Sequence, residues 1–298
     1  MLPYGADQEL DRMVTQHYIL RTAFGSDFAA PVNNLTKRPF KPGKNVVVLD
    51  VGCGSGIWTM EMATQFPHAH FIGIDRQATY PKNIKPKNCH FKQFNIDQSH
   101  IQLPFEDASV DYIFQRDINW DLLESSWLPL VQEFFRVLKP GGWIELVEPE
   151  IETYSSNPIY HDYIADKLVD SFYERDQDPF VSKRLSSFMA EAGFRRIQSE
   201  FQSLPLGWGY QKLSAAKKQI TLHNIRENCQ AYLRCSEFAR AAANHHLDLL
   251  KSLQRWFTQE QQMSIAKYDS YVQHLPDVWF TSKAYVNWHR SFAQKPYI

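Results

Sequence analysis

Three alternate glycines, Gly52, Gly54 and Gly56, follow the β-branched run "VVVLDV" and open into a helix-like stretch. A strand that turns through glycines into a helix lets a ligand lie against the backbone, because no Cβ stands in the way. Asp75 ends the next apolar run, "FIGID", 23 residues after Gly52. A carboxylate there can accept hydrogen bonds from both hydroxyls of a ribose, so glycines and acid together call for a nucleoside. An isolated Asp75 would read as a turn or helix-cap residue; its place relative to the glycine turn favours ribose. The spacing is G-x-G-x-G, and Ile57 stands where the dinucleotide fingerprint needs its third glycine. That argues against a bound pyrophosphate and demotes NAD and FAD. Asp75 would also repel a 2′-phosphate, a bar that the adjoining Arg76 softens.

The elements that must hold these groups follow from periodicity. Between residues 46 and 148 the strand-like runs "VVVLDV", "HFIGID", "HFKQFNI", "VDYIFQ" and "GWIELVE" alternate with helical stretches near 57–66 and 125–138. Such alternation predicts an α/β fold with a mostly parallel sheet. "LKPGG" at 138–142 stops a helix and starts a strand. Upstream, Leu10, Met13, Val14, Ile19, Leu20 and Phe24 recur at helical spacing behind Asp7 and Glu9, which predicts one amphipathic helix; "PVNNLTKRPFKPGKN" then reads as a loop. Residues 153–193 turn helical and end at a capping Gly193, before the strand-like "RRIQSEFQSLPLG". Residues 209–274 read as helical almost throughout, and "KAYVNWHRSFAQKP" as a final strand.

The totals bound the partners. With 298 residues the chain suits one enlarged domain. Its 32 basic and 33 acidic residues give a net charge of -1, which supplies no field for nucleic acid or an acidic membrane surface. Four scattered cysteines, Cys53, Cys89, Cys229 and Cys235, form neither a disulfide scaffold nor a C-x-x-C pair. The N-terminus lacks a secretory pattern and the apolar runs are too short to span a bilayer, so a cytoplasmic or nuclear protein is expected. No metal constellation is expected either, since His245 and His246 are adjacent and complete no H-E-x-x-H.

In order, "VLDVGCGSGIW", "FIGID", "FNID", "DYIFQRD" and "LKPGGWIELVE" resemble the motifs of class I S-adenosylmethionine-dependent methyltransferases over roughly residues 40–150. The opening stretch "LPYGADQELDRMVTQHYIL", the "GIW" after the turn and "KPGGWIEL" further resemble the fungal group that includes LaeA-type regulators of secondary metabolism. The resemblance implies a Rossmann-like, seven-stranded sheet in the order 3-2-1-4-5-7-6 with the seventh strand antiparallel and helices on both faces. It implies three parts: residues 1–40 as a helix and loop over the cofactor site, 41–150 as the S-adenosylmethionine-binding core, and 151–298 as the rest of the sheet. In the last part, helical insertions at about 153–190 and 209–274 would cap the substrate. It also places Gly52, Cys53, Gly54 and Gly56 against the cofactor, with Asp50 organising the turn and its ammonium site. Asp75, with Arg76 beside it, would hold the ribose; Ile96 would pack on adenine, and Asp97 would accept from its exocyclic amine. Gln115 and Arg116 would fall at the cofactor's edge. Without the surrounding motifs, Ile96 would be ordinary core and Asp97 a solvated turn acid.

Methyl transfer from a sulfonium is an in-line displacement, so the protein mainly aligns the nucleophile and excludes water. A base is needed for a hydroxyl and dispensable for a thiolate or free amine. Topology offers His17 on the first helix, Asp117 after the fourth strand, Glu148 after the fifth, and His161 beyond; each histidine taken singly reads equally as a buried structural group. The aromatics Trp208, Tyr210, Trp256, Trp279 and Trp288 read as an apolar pocket wall or as helix-packing core. The leading expectation is a small-molecule O- or N-methyltransferase with no membrane or nucleic-acid partner. Its rival is a regulator that acts through a protein partner on the same fold.

Overall fold

The β-branched and aromatic runs become seven strands of one sheet: β1 Val47–Val51, β2 His70–Asp75, β3 Cys89–Gln93, β4 Val110–Arg116, β5 Leu138–Pro149, β6 Arg195–Pro205 and β7 Tyr285–Gln294. The computed structural model describes residues 6–32, 46–157, 159–209 and 237–297. Strand order is β3-β2-β1-β4-β5-β7-β6. The first five strands pair in parallel, and β7 runs antiparallel to both β5 and β6. This is the order and the reversal that the resemblance implies.

Seven α-helices flank the sheet among the described residues: α1 Ala6–Phe24, α2 Ile57–Gln65, α3 Trp127–Val137, α4 Tyr163–Glu174, α5 Leu185–Glu191, α6 Glu237–Glu260 and α7 Ile265–Ser282. Because strand side chains alternate, each strand feeds two cores. Val48, Phe71, Tyr112 and Phe114 pack in the core that also takes residues of α2, α4, α6 and α7, while Leu49, Val51, Ile113 and Leu146 pack with α3 and α5. Trp58 of α2 stacks flat on Phe114 at 3.9 Å between ring centroids, and its Nε1 donates to the Asp27 carbonyl at 2.9 Å. One side chain thus ties the helix after the glycine turn to β4 and to the segment after α1.

The structure corrects four boundaries. β3 stops at Gln93, so Phe94 to Ile96 leave the sheet. β5 begins at Leu138, ahead of the proline and glycines, because the chain absorbs them as an irregularity between the pairs Val110–Leu138 and Tyr112–Trp143. Within 153–193, helix is confined to α4, α5 and a short 3-10 turn. The C-terminal helical stretch is two helices, α6 and α7, that run on to Ser282, with Gln262 at φ 47° in the turn between them. The part of the expected insert at 210–236, with Tyr210, Cys229 and Cys235, lies outside the described residues. No helix among the described residues is long and apolar enough to cross a membrane.

Candidate functional site

A cavity of about 700 Å³ lies at the carboxyl ends of β1, β2 and β4, where open α/β sheets leave a crevice, and its size suits one cofactor-sized ligand. Its floor starts at the glycine turn. Gly52 and Cys53 donate their N–H groups to the Ile74 carbonyl at 2.9 and 3.1 Å, which pins the turn to the end of β2. Gly52 sits at φ +71°, and a Cβ there would lie 2.3 Å from Cγ2 of Ile118 in the cavity wall. At Gly54 an added Cβ would lie 3.1 Å from Sδ of Met13 on α1. Backbone thus approaches side chains of the cavity wall as closely as it would a ligand.

Around this turn the acids are already held. Asp50 is buried and accepts from Thr59 Oγ1 at 2.5 Å. Burial pushes its pKa up to about 7, against the pull of the Thr59 hydrogen bond and the Arg116 charge. Asp75 accepts from the Gly54 N–H at 2.9 Å with one oxygen and from the Gln77 N–H at 2.8 Å with the other. It is therefore both the turn residue and the cavity-lining acid that its position suggested. Arg76 pairs with Asp121 at 2.8 Å, which occupies the charge that would welcome a 2′-phosphate. Ile96 and Asp97 line the cavity on the loop after β3. Asp97 accepts from the Ser99 amide and hydroxyl at 3.0 and 2.7 Å, and these hydrogen bonds hold its carboxyl below the usual range.

Strand parity decides the next group. Phe114 and Arg116 of β4 line the cavity, whereas Gln115 between them points to the α3 and α5 face. Gln115 is fully buried there and donates to Glu148, which shares that face. Gln115 is therefore corrected from cofactor edge to packing residue. Glu148 is corrected likewise: it accepts from the backbone N–H groups of Ile118 and Asn119 at 2.9 and 3.3 Å and does not line the cavity. Burial and the nearby Asp117 charge raise its pKa to about 8 while those donors pull it down. Its work is to fasten the loop after β4. Asp117 does line the cavity, at φ 60°, with its oxygens accepting from Gln16 Nε2 at 2.7 Å and Trp120 Nε1 at 3.1 Å. His161 is 70% exposed and pairs with Asp166, so it faces solvent.

The "QH" pair on α1 splits between two tasks. Gln16 faces the cavity, and His17 lies outside its lining. His17 is buried, with Nε2 at 2.9 Å from Glu61 and Nδ1 at 3.4 Å from both terminal nitrogens of Arg116. Nε2 also meets an Arg21 nitrogen at 3.1 Å, so the ring sits between two guanidinium groups and one carboxylate. The His17 pKa falls to about 4 through burial first and the Arg116 charge second. The unfolded chain then binds a proton below about 6.5 that the folded chain refuses until about 4, so stability drops as pH falls through that window. The gap in urea-unfolding stability between wild type and His17→Gln is expected to shrink by up to about 1.4 kcal/mol per pH unit there. Asp50 acts in the opposite direction in both proteins and cancels; a gap independent of pH would remove this account of His17. Ligand-type atoms of His17, Asp27 and Glu61 fall within 4.8 Å of one another, but Arg21 donates to both carboxylates and supplies the positive charge.

Sequence reading expected a helix over the cofactor site but did not single out the residues that face it. Glu9, Arg12, Met13 and Gln16 form one stripe of α1 over the cavity, with Trp256 and Leu253 of α6 beside them. Arg12 donates to Glu9 and Gln16 and contacts His245 Nε2 of α6 at 3.1 Å, locking the two helices together. Arg175, after α4, lies over Trp256 at 4.7 Å and also lines the cavity. The available signal was polar residues three and four apart on the inward stripe of α1. Of the aromatics, Trp256 lines this cavity, while Trp279 is wholly buried core and Trp208 donates to the Ala284 carbonyl at 2.5 Å.

Residues 48–142 match the family described as "Methyltransferase domain". The secondary metabolism regulator laeA of Aspergillus fumisynnematus is 28% identical over 219 residues, 69% of this chain and 53% of its own. A protein of Emericella nidulans named protein-methionine methyltransferase laeA is 29% identical over 215 residues, 67% and 51% of the two chains. The chain thus spans about half the length of the curated relatives it matches. Haemonchus contortus phosphoethanolamine N-methyltransferase 2, solved with S-adenosyl-L-methionine, is 18% identical, with 98% of this chain and 60% of that one covered and a TM-score of 0.44. The family match runs from β1 into β5, the segment that builds the cavity floor, and by it this chain carries a class I S-adenosylmethionine-dependent methyltransferase domain that resembles LaeA.

Proposed function

We propose that the chain binds S-adenosylmethionine in the main cavity and transfers its methyl group to an oxygen or nitrogen of a small molecule, including secondary metabolites. The observation that carries this reading is Arg116: it lines the cavity, forms no ion pair within 4 Å among the described residues, and contacts the His17 ring and the Phe114 face, with Asp50 and Asp117 near enough to favour its charge. A guanidinium so placed suits the cofactor's carboxylate, with Asp50 near the methionyl ammonium and the glycine turn beneath. Asp75 would take the ribose hydroxyls, and Ile96 and Asp97 the adenine. When bound, the cofactor supplies a methyl group on a sulfonium, displaced in line by the acceptor's lone pair. The chain's part is to hold the reactants and keep out water: α1 and α6 close the cavity, and the Gln16–Asp117–Trp120 hydrogen bonds fix its inner wall.

A second reading, a thioether acceptor on a protein, is supported by the name of the Emericella relative. It is favoured as well by the state of the cavity acids, since Asp50, Asp75, Asp97, Asp117 and Asp121 are each hydrogen-bonded or ion-paired. A thioether needs no base. The relatives' naming as regulators supports action in the cytoplasm or nucleus. Calorimetric titration with S-adenosylmethionine and, separately, NAD is the first test, followed by labelled methyl transfer to small-molecule and protein fractions. Binding of the first cofactor alone supports the reading, and the labelled fraction chooses the acceptor. Asp75→Ala should weaken cofactor binding by about 1 to 3 kcal/mol. Unchanged affinity in that variant would discard the ribose assignment.

A further inference from the structure

Behind the main cavity lies a second, smaller one of about 40 Å³. Arg12, Asp117 and Trp120 line both, so three side chains form the partition between them. The far walls are apolar, built by Leu168 of α4, Leu204 of β6, Ala242 of α6, and Val286 and Trp288 of β7. It has room for about three water-sized groups. A compact branched alkyl group or the edge of a ring would fill it while the rest of the molecule lay in the main cavity.

Each charge on these walls is already answered. Arg12 pairs with Glu9 at 2.6 Å. Asp117 accepts from Gln16 and Trp120. Glu150 accepts from Lys183 and His289, each at 2.6 Å, from Asn287 at 3.2 Å, and from the Tyr154 hydroxyl. His245 takes the Arg12 guanidinium, and burial with that charge keeps its ring neutral. His246 is different. It lines the cavity, burial holds it neutral by lowering its pKa to about 4, and it has no hydrogen-bond partner among the described residues. Its ring meets Trp279 edge-on at 5.2 Å between centroids. An ionic ligand would find no counter-charge in this pocket, and an unpaired buried charge costs several kcal/mol. A neutral ligand finds apolar walls and one imidazole.

Resting on the methyl-transfer reading, we infer that the second cavity receives the acceptor, a small uncharged molecule whose apolar end fills it and whose hydroxyl hydrogen-bonds His246. Three observations point the same way: the wall shared with the cofactor cavity, the paired charges, and an imidazole with no hydrogen-bond partner among the described residues. Carboxylate, phosphate and ammonium acceptors are thereby disfavoured.

The probe is 2-methylpropan-1-ol, followed by saturation-transfer NMR on the full chain saturated with S-adenosylhomocysteine, whose own binding is measured by calorimetry. Wild type should give a probe signal. Ala242→Leu, which fills the cavity and suits a helix, should lose it with S-adenosylhomocysteine affinity within about twofold; Leu249→Phe serves if that variant does not fold. His246→Phe should weaken the signal, and isobutyrate or isobutylammonium should give none. An equal signal from Ala242→Leu, a signal from either ion, or none from cofactor-loaded wild type would overturn the assignment. No S-adenosylhomocysteine binding by wild type would take down the methyl-transfer reading itself, and calorimetry separates that result from the others.

Discussion

Gly52→Ala is expected to bind S-adenosylmethionine at least roughly tenfold more weakly than wild type and to unfold about 2 to 5 kcal/mol more easily. Two costs add. At φ +71° an alanine pays the left-handed penalty of about 1 to 2 kcal/mol. Its Cβ would stand 2.3 Å from Cγ2 of Ile118, so Ile118 must move, and overpacking of this kind costs about 1 to 3 kcal/mol more. Ile118 lines the cavity, so its displacement reshapes the wall and affinity falls along with stability. Calorimetry and urea unfolding on one preparation check both parts. Normal affinity in a destabilised protein would mean that no ligand lies against this backbone.

The second large effect falls on a residue that touches no ligand. Glu148→Ala should cost about 3 to 5 kcal/mol, because the Gln115 amide and the backbone N–H groups of Ile118 and Asn119 lose their acceptor in a buried place, at about 1 to 3 kcal/mol each before partial relaxation. Urea midpoints at neutral pH measure it. A loss under about 1 kcal/mol would show that water or another group satisfies those donors, and the fastening role assigned to Glu148 would be withdrawn.

These two residues mark how far the sequence could be read. The glycines and the β-branched runs declare themselves through local rules, and so do the strand-turn-helix they form and the acid that follows β2. The sheet order came from resemblance, since spacing alone does not say that β7 inserts between β5 and β6. Gln115 and Glu148 were misjudged because one residue of strand parity moves a side chain from the cavity to the opposite face. His17 was misjudged by less than a third of a helical turn, since its neighbour Gln16 faces inward. Trp120 and Arg175 reach the cavity only through tertiary placement, and no local pattern distinguishes them from core aromatics and surface arginines. Phe94 to Ile96 read as strand because they are apolar enough for one, yet they leave β3 to wall the cavity.

The contact between Arg12 and His245 joins residues 233 positions apart. Closing so long a loop is slow and entropically costly, whereas the neighbouring pairs β1–β2 and β2–β3 close over short spans. The parallel strands β1 to β5 with the glycine turn can therefore assemble on a growing chain well before α6 leaves the ribosome, while α6, which completes the roof, and β7, which completes the sheet, come late. The half of the roof that α6 supplies is thus held to α1 by a late, long-range contact. A ligand that binds the folded chain beneath it and not the unfolded one adds to stability, so the supply of cofactor would tune how much of this chain keeps its finished form.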